Sequence, residues 1–281
     1  MSSDEEDAAA ASLAVACLVA SREHADIEQD LVSTADDPRL LLKFLRQKKN
    51  DIKAALESLK LYHRYMRVLH DIPDGAAPPR RYPLSDAATL IDLGLFLIVP
   101  AKDADGRLVV VCSDISLAQK MMQENSQEAT SRAFSMLFWE LGESDDAQLK
   151  GISFVQDMSK YSMFQMRSGM KNQQTMMKNE KQKKAASMSM DAIPLKYGSF
   201  FIVDAPWYFS VVWALIRPFM KKKLRERVQF IGRKSLDKLH AAILPHALPP
   251  DLGGSLDVDA LDKWWWVEPA RRPPVAHEFF L

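Results

Sequence analysis

The alternation of apolar strands with long helical segments beyond residue 94 constrains the fold more than any other feature of this chain. Short apolar runs of strand length are separated by segments of ten or more residues with helical spacing. Strands alternating with helices form a mostly parallel sheet with helices packed on it, and strands that are apolar on both faces belong to such covered sheets. The predicted strands lie at residues 94–100, 108–111, 151–155, 197–203 and 228–231.

The connections between these strands have signals of their own. Residues 103–106 form a tight turn of the Asp-Gly type, which predicts an antiparallel hairpin from the first two strands. Apolar residues at helical spacing predict a long helix over residues 116–142, a methionine-rich helical segment over 162–190 and a final helix over 235–244. The predicted fold class is therefore α/β.

The region before the sheet is predicted to be a small helical bundle. Apolar residues recur at helical spacing over residues 9–72, and Asp37-Pro38 and Asp51 mark the starts of a second and a third helix. A proline-rich linker follows. We accordingly divide the chain into a helical domain, the linker, an α/β domain and a tail, at residues 1–72, 73–84, 85–256 and 257–281.

The composition limits partners and compartment. In 281 residues, Lys and Arg total 37 and Asp and Glu also total 37, so the chain has no net attraction to nucleic acid. Two cysteines make no disulfide framework, which favours a reducing compartment. The apolar run at residues 8–20 follows acidic residues, unlike a signal peptide. No run reaches the roughly 18 apolar residues of a bilayer span, so any membrane contact is expected to be peripheral.

Motifs typical of enzymes are missing from the sequence. The chain lacks GxGxxG, GxSxG, HExxH and the GxxxxGK loop, and its six histidines are scattered, so neither a cofactor nor a metal is expected. Asp157 and Asp204 each follow an apolar strand, where ligands bind in α/β sheets. Their carboxylates either do acid–base work or cap the segments that follow. Because no nucleophile accompanies them, we expect a protein that is not an enzyme.

Residues 203–232 join an apolar helix to a cluster of positive charge. Five apolar side chains fall on one face of the predicted helix, namely Phe209, Val212, Trp213, Ile216 and Phe219. Pro218 removes a backbone donor, so a bend near Ala214 is expected. Five cations follow, namely Lys221, Lys222, Lys223, Arg225 and Arg227. They either complement a helix C-terminus, at about 0.3–1 kcal/mol each, or attract an anionic membrane, at about 1 kcal/mol each.

Two further apolar features allow alternative interpretations. Methionines crowd residues 158–177, beside Phe154, Tyr161 and Phe164. Because methionine fills irregular apolar space, they either belong to the core or line an adaptable pocket. The three tryptophans at 264–266 either pack against the helical block or anchor at a membrane interface.

Several of these stretches together resemble one protein family. The landmarks of CRAL-TRIO proteins, which are lipid-binding and lipid-transfer domains, appear here in the family's order: DDPRLLLKFLRQK, DGRLVVV, GISFVQDMSKYS, FFIVDAPWYF, IRPFMKKKLRERVQFIG and LPPDLGG. The resemblance extends over residues 36–266. PWYF and RPFMKKKLRERV are most similar to the subgroup of cellular retinaldehyde-binding and α-tocopherol transfer proteins.

The resemblance implies a three-helix N-terminal unit and an α/β domain whose deep apolar pocket is closed by a mobile gate helix, here at residues 206–219. In the tocopherol-transfer relatives a basic patch binds phosphatidylinositol bisphosphate. The matching positions here are Lys48, Lys196, Lys223 and Arg227. Members that carry phosphatidylinositol have a glutamate where this chain has Leu195, so a hydrophobic, isoprenoid-like ligand is the better expectation.

These observations lead to the hypothesis of a non-enzymatic lipid carrier. It would bind one hydrophobic molecule in an internal pocket and exchange it at phosphoinositide-containing endomembranes, acting as a monomer in the cytoplasm. The expected pocket residues are Phe154, Tyr161, Phe164, Phe209, Trp213 and Ile216. Two alternatives stay open: a lipid-sensing adaptor that binds lipid without transferring it, and an α/β enzyme that uses Asp157 or Asp204.

Overall fold

The N-terminal region is a bundle of four helices. The computed structural model describes residues 3–77, 79, 82–112, 114, 116–117, 126–217, 220 and 222–273. Its first helices are α1 (Ser3–Ser21), α2 (Glu28–Ala35), α3 (Pro38–Gln47) and α4 (Ile52–Leu69). The predicted bundle is confirmed, with one helix more than the three that the resemblance implied.

Two helix starts in the bundle follow directly from the sequence. The Asp37 carboxylate accepts a hydrogen bond from the Leu40 amide at 3.1 Å, and Pro38 occupies the first turn of α3. The Asp51 carboxylate accepts from the Ala54 amide at 2.9 Å where α4 begins. Each side chain satisfies a backbone donor that the helix leaves unpaired, and this fixes where the helix starts.

The interior of the bundle contains a buried ion pair. Asp30 Oδ2 of α2 and Arg67 Nε of α4 lie 2.5 Å apart, and the two side chains are 1% and 7% exposed. Arg67 also donates to the carbonyl oxygens of Pro73 and Ala76, at 2.8 and 2.9 Å. The ion pair therefore also ties the segment after α4 to the bundle.

His63 of α4 makes the stability of the bundle depend on pH. Its Nε2 lies 2.8 Å from the Thr34 hydroxyl. Burial, together with the charge of Arg67, lowers the pKa of His63 to about 3, although Asp30 Oδ1 lies 3.7 Å from the ring. The unfolded imidazole, whose pKa is near 6.5, binds a proton that the folded ring excludes. Stability is therefore lost as the pH falls from about 6.5 towards 3.

We expect the free energy of unfolding to lose about 3 kcal/mol through His63 between about pH 7 and about pH 4. Urea denaturation followed by circular dichroism at several pH values measures this loss. His63→Gln, which has no titrating ring, should lose that part of the pH dependence, whereas His246→Gln, at an exposed position, should keep it. Equal slopes for the wild type and His63→Gln would contradict a buried neutral ring.

The remaining elements form a five-stranded sheet with helices around it. In chain order they are α5 (Ser85–Asp92), β1 (Leu97–Lys102), β2 (Leu108–Cys112), α6 (Gln127–Leu141), α7 (Asp145–Leu149), β3 (Ile152–Asp157), α8 (Met163–Lys178), α9 (Glu180–Ala192), β4 (Tyr197–Val203), α10 (Phe209–Ile216), α11 (Lys222–Arg225), β5 (Val228–Ile231) and α12 (Asp237–Ala242). Short 3-10 turns lie at Arg233–Ser235, Pro245–Ala247, Pro250–Leu252 and Pro269–Arg271. The strands are ordered β1-β2-β3-β4-β5, with β1 antiparallel to β2 and the other neighbours parallel. The predicted mostly parallel sheet is confirmed.

The hairpin of β1 and β2 has the turn that its sequence predicts. Leu97 pairs with Val111 in antiparallel register. The Asp103 carboxylate accepts from the amides of Asp105 and Arg107, at 3.0 and 2.8 Å. These bonds replace the strand ladder within the turn and fix the hairpin register.

The predicted helices around the sheet differ from the structure in extent. A single helix from residue 116 is wrong, because Ser126 is non-helical and its hydroxyl caps α6 by accepting from a backbone amide at 3.1 Å. The methionine-rich segment is two helices, because the Asn179 side chain caps α9 in the same way at 3.2 Å. α12 is shorter than predicted, and α5 was not predicted. Apolar periodicity continues across these breaks, so only the capping side chains mark them.

The two faces of the sheet are covered by different parts of the chain. On one face, Val109, Val155 and Phe201 are buried with residues of α12 and the segment after it. On the other face, Val110 and Phe154 share one core with the bundle, α6 and α9. The bundle and the sheet therefore belong to one packed body.

The tryptophans of the tail pack on the molecule. Trp264 Nε1 donates to the Asp92 carboxylate at 2.7 Å, and Trp265 Nε1 donates to the Ile98 carbonyl oxygen at 2.6 Å. Trp264 and Trp266 also contact the core that the bundle shares. Of the two interpretations of these residues, packing is the one that the structure shows.

Candidate functional site

An apolar helix, α10, lies over the β4–β5 part of the sheet. In β4, Phe200 and Ile202 face α10, because alternate residues of a strand face opposite sides and Phe201 is buried on the other face. The inner side of α10 packs on them through Phe209 and Trp213. We term this group the lid cluster: Met158, Tyr161, Phe200, Ile202, Ala205, Phe209, Val212, Trp213 and Val228.

Aromatic rings link the lid cluster to its surroundings. Tyr161 and Phe209 meet edge to face at 6.0 Å between ring centroids, and Trp213 meets Phe230 of β5 in the same way at 5.2 Å. Phe200 stacks on Phe154 at 4.9 Å, and so connects the cluster to the main core. Such contacts contribute roughly 0.5–1.5 kcal/mol each beyond the burial of apolar area.

The lid cluster is less completely buried than the two cores beside it. Only Met158, Ile202 and Phe209 in this cluster are buried, and its other members are half-buried. Exposing a fully buried apolar side chain costs about 1.5–3 kcal/mol, and a half-buried one costs less. Exposing the side chains between α10 and the sheet therefore costs less for each residue than exposing the fully buried side chains of the two cores.

A hydrogen bond joins the residue before α10 to the segment after β3. The Tyr208 hydroxyl donates to the Tyr161 carbonyl oxygen, just before α10 begins. This bond orients the start of α10. The inner side of the helix packs on the sheet through apolar contacts.

The outer side of α10 is also apolar. Trp207 is 80% exposed and Val211 is exposed one turn later. Exposed cations follow, namely Arg217, Lys222 and Lys223. A helix that is apolar on both sides beside cations suits an apolar surface with anionic groups. Among the helices described, none has the length and hydropathy needed to cross a bilayer.

One arginine contacts the carboxylates at the carboxyl ends of β3 and β4. Arg233, directly after β5, lies 3.5 Å from Asp157 and 3.4 Å from Asp204. Asp204, directly after β4, has a φ of 55°. The Asp157 carboxylate also accepts a hydrogen bond from the Ser159 amide at 2.8 Å. The two candidate acid–base groups are thus engaged by an arginine and a turn, which is the arrangement of structural carboxylates.

The same part of the sheet offers no metal site within the described residues, where no group of three His, Cys, Asp or Glu side chains is placed to hold an ion. Among the described histidines, His63 is buried in the bundle whereas His246 is exposed in the 3-10 turn Pro245–Ala247.

Most of the predicted pocket residues come together here. Phe154, Tyr161, Phe209 and Trp213 are joined through Phe200, as described above. Phe164 does not join them, since its side chain is 69% exposed in the first turn of α8. The side chain of Ile216 lies outside the described residues, as do Pro218 and Phe219. The predicted bend near Ala214 therefore stays a prediction.

Two of the predicted basic residues, Lys196 and Arg227, lie at the amino end of β4. Lys196 directly precedes Tyr197, whose carbonyl oxygen accepts from Arg227 Nη1. The Lys196 backbone lies close to Gly151 (φ 86°), because a Cβ at position 151 would lie only 2.8 Å from the Lys196 carbonyl oxygen. Lys223 is exposed on α11, one turn before Arg227.

Further cations from the bundle lie beside Lys196. Burial and the charges of Lys49 and Arg46 lower the pKa of Lys196. Lys48, the predicted member of the basic patch, caps the carboxyl end of α3 and is half-buried next to Lys49. The bundle and the sheet thus both contribute positive charge to one place.

Sequence reasoning missed several members of this region. Phe200 and Phe230 contribute rings to the apolar side, and Lys49 contributes charge to the basic side. The alternation of residues in β4 and β5 was the available signal for the two rings, because it assigns both to one face of the sheet. No local signal distinguished Lys49 from other surface lysines.

Comparison with known proteins identifies similar chains. A family model described as "CRAL/TRIO domain" matches residues 94–254. Clavesin-1 of Rattus norvegicus is 26% identical over 253 residues, which are 86% of this chain and 66% of the relative. Alpha-tocopherol transfer protein-like of Mus musculus is 26% identical over 235 residues, which are 81% of this chain and 61% of the relative. The chain thus spans slightly less than two thirds of these relatives.

A solved structure has a similar fold. The crystal structure of Sfh5 matches with a TM-score of 0.51 and 16% sequence identity, over 82% of this chain and 81% of that one. At this identity the match supports the fold alone.

Proposed function

Because the chain belongs to the CRAL/TRIO domain family, we propose that it binds a single hydrophobic, lipid-like molecule beneath α10. It presents or exchanges this molecule at phosphoinositide-containing membrane surfaces and performs no bond chemistry. The observation that carries the proposal is the half-buried lid cluster: an apolar helix covers an apolar sheet face incompletely, and exposed cations follow the helix.

The apolar walls favour a ligand of hydrocarbon character. Phe200, Trp213 and Val228 contribute rings and methyl groups to the contact between α10 and the sheet. Leu195 is buried in the core, at the position where relatives that carry phosphatidylinositol have a glutamate. An isoprenoid-like molecule fits these surroundings better than a phospholipid with a charged head group, because a buried charge needs a partner.

The cations at the amino end of β4 favour an anionic head group on the membrane. Lys48, Lys196, Lys223 and Arg227 are the residues that we assign to a phosphoinositide. Burial lowers the pKa of the Lys196 ammonium, and the charges of Lys49 and Arg46 lower it further. A polyphosphate offsets these positive charges and accepts several charge-assisted hydrogen bonds at once.

Release of the ligand follows from the two apolar sides of α10. When Trp207 and Val211 enter the interface of a membrane, the helix exchanges its contacts with the sheet for contacts with lipid. The lipid then replaces part of the apolar surroundings that opening removes. Opening is thereby coupled to arrival at a membrane.

Lipid mass spectrometry of the purified protein tests the proposal. We expect one hydrophobic compound in about a 1:1 ratio to protein after native isolation from lipid-containing cells. A well-folded protein that remains empty would contradict the proposal. Transfer of that compound between donor and acceptor vesicles distinguishes a carrier from a lipid-sensing adaptor, which would bind without transfer.

Removing two of the membrane-facing cations is expected to separate docking from ligand binding. Lys223→Ala/Arg227→Ala should weaken binding to vesicles containing phosphatidylinositol bisphosphate by about tenfold or more, since each surface cation contributes about 1 kcal/mol. Uptake of ligand from detergent should change little, because neither side chain belongs to the lid cluster.

The matched control removes two charges elsewhere. Lys183 and Lys184 are exposed on α9, and Lys183→Ala/Lys184→Ala should leave vesicle binding within about twofold of the wild type. Vesicle co-sedimentation and ligand titration measure the two properties. If Lys223→Ala/Arg227→Ala reduced vesicle binding and ligand uptake equally, the role of Arg227 would be structural, through its hydrogen bond to the Tyr197 carbonyl oxygen.

A further inference from the structure

The outer face of α1 is apolar and exposed along the helix. Val15 is 61% exposed, and Ala8, Ala11 and Leu18 share its face at spacings of three or four residues. The opposite side is buried in the bundle, with Leu13 fully enclosed. The face is therefore held in place by the bundle and presented to solvent.

Between Ala8 and Leu18, the exposed face is apolar apart from Ser12 at its edge. The hydroxyl of Ser12, at the edge of the face, donates to the Ala8 carbonyl oxygen at 2.9 Å. The side chain thus satisfies its donor within the helix, and the face can lose water without leaving that donor unpaired.

Size and charge are distributed unevenly along the face. From the amino end it reads Asp4, Ala8, Ala11, Val15, Leu18 and, directly after the helix, Arg22, all of them exposed. The amino half of the face has small side chains and an acid at its end. The carboxyl half has larger side chains and a base at its end. Such a face is complementary to itself when reversed.

We propose that this face binds a second copy of the chain, with the two α1 helices antiparallel. The two-fold axis crosses the exposed face at the height of residue 13 along the helix. It places Ala8 opposite the partner's Leu18 and Ala11 opposite the partner's Val15. Each larger side chain then fills the space beside a small one. Asp4 lies opposite the partner's Arg22, and the symmetric contact repeats at the other end.

Other occupants fit the face less well. A parallel pair would set Asp4 against the partner's Asp4, and large residues against large ones. A membrane with anionic lipids would repel Asp4 and Asp7, both exposed at the amino end of the helix. The antiparallel copy alone meets both the size and the charge pattern.

The dimer is expected to be weak. A helix of 19 residues offers a face about 28 Å long and about 10 Å wide, which is small beside the roughly 800 Å² that each partner buries in a standard interface. The pairing therefore depends on protein concentration, and it differs from the monomer expected from the sequence. Concentration on a membrane surface would promote it.

Sedimentation equilibrium of the full chain tests the proposal. Over a concentration range up to about 1 mM we expect a reversible monomer–dimer equilibrium. Val15→Glu should raise the dissociation constant at least about tenfold. Val32→Glu is the matched control, because Val32 is an exposed valine (41%) on the neighbouring helix α2, and it should leave the dissociation constant unchanged.

A charge exchange tests the antiparallel direction. Asp4→Arg and Arg22→Asp should each weaken the dimer, because each sets two like charges against each other. The double variant should restore it, because opposite charges then face each other again at both ends of the pair. Circular dichroism checks that every variant keeps its fold. A monomer at all concentrations, an equal effect of Val32→Glu, or no recovery in the double variant would overturn the proposal.

Discussion

Replacing Phe230 with aspartate is expected to weaken binding of the hydrophobic ligand at least about 100-fold, equivalent to about 2.7 kcal/mol. The Phe230 ring lies 5.2 Å from Trp213 and 6.5 Å from Phe209, measured between ring centroids. A carboxylate at this place loses part of its water when α10 closes, and the side chains of the lid cluster that it faces are apolar. The closed, ligand-holding state is therefore disfavoured.

The fold itself should tolerate this change. Phe230 is exposed by about half and lies on β5, at the edge of the sheet. The neighbouring Gln229 is also exposed and pairs with Phe201, so it faces the other side of the sheet. Gln229→Asp therefore adds the same charge to the same strand without entering the ligand site.

Fluorescence titration with a labelled isoprenoid alcohol measures the affinities of both variants. Thermal unfolding by circular dichroism shows whether each remains folded. We expect a large loss of affinity for Phe230→Asp and almost none for Gln229→Asp. Wild-type affinity in folded Phe230→Asp would place the ligand away from α10.

Replacing Arg67 with alanine is expected to cost about 3–5 kcal/mol of unfolding free energy. The variant leaves Asp30, whose side chain is 1% exposed, without its cation. It also removes the donors to Pro73 and Ala76. A loss of this size is a large part of the roughly 5–15 kcal/mol that stabilises a typical domain.

An exposed ion pair between neighbouring elements of the bundle provides the control. Arg64 Nε and Asp26 Oδ2 lie 2.7 Å apart, but both side chains are well exposed. Arg64→Ala should cost no more than about 1 kcal/mol. Urea denaturation of both variants measures the difference.

A double variant separates the charge from the packing. Asp30→Leu/Arg67→Met removes both members of the pair and should recover much of the stability lost in Arg67→Ala, because no unpaired charge stays buried. Equal stability of Arg67→Ala and Arg64→Ala would show that Asp30 is not confined as the structure places it.

The two predictions act on parts of the molecule with opposite properties. The bundle holds a buried ion pair and fully enclosed apolar side chains, including Phe44 and Leu59. The lid cluster contains half-buried rings, such as those of Phe200 and Trp213. The bundle shares its core with the sheet and thereby keeps Lys49 beside Lys196.

Much of the fold was predictable because its signals are local. The strands Tyr197–Val203 and Val228–Ile231 were predicted with these bounds from apolar runs. The starts of α3 and α4 followed from Asp37 and Asp51, whose carboxylates bond amides three residues away. Where a cap interrupts an apolar pattern, as at Ser126 and Asn179, the pattern was followed past the true boundary.

The candidate site was predictable only in part. Phe209 and Trp213 were assigned to one helix face by their spacing, and both pack on the sheet. Phe164 was grouped with them because it is near in sequence to Tyr161, yet it is exposed. Position along a helix fixes which residues share a face, but it does not fix what that face contacts.

The sequence by itself determined the α/β class, the hairpin, the helix starts at Asp37 and Asp51, and the juxtaposition of an apolar helix with cations. The reason is that strand alternation, helical spacing and caps depend on residues within one or two turns of each other. Only the tertiary structure decided that Phe200 joins Phe154 to the lid cluster, that Lys49 lies beside Lys196, and that one face of α1 is exposed. These contacts join segments far apart in the chain, and burial depends on which segments meet.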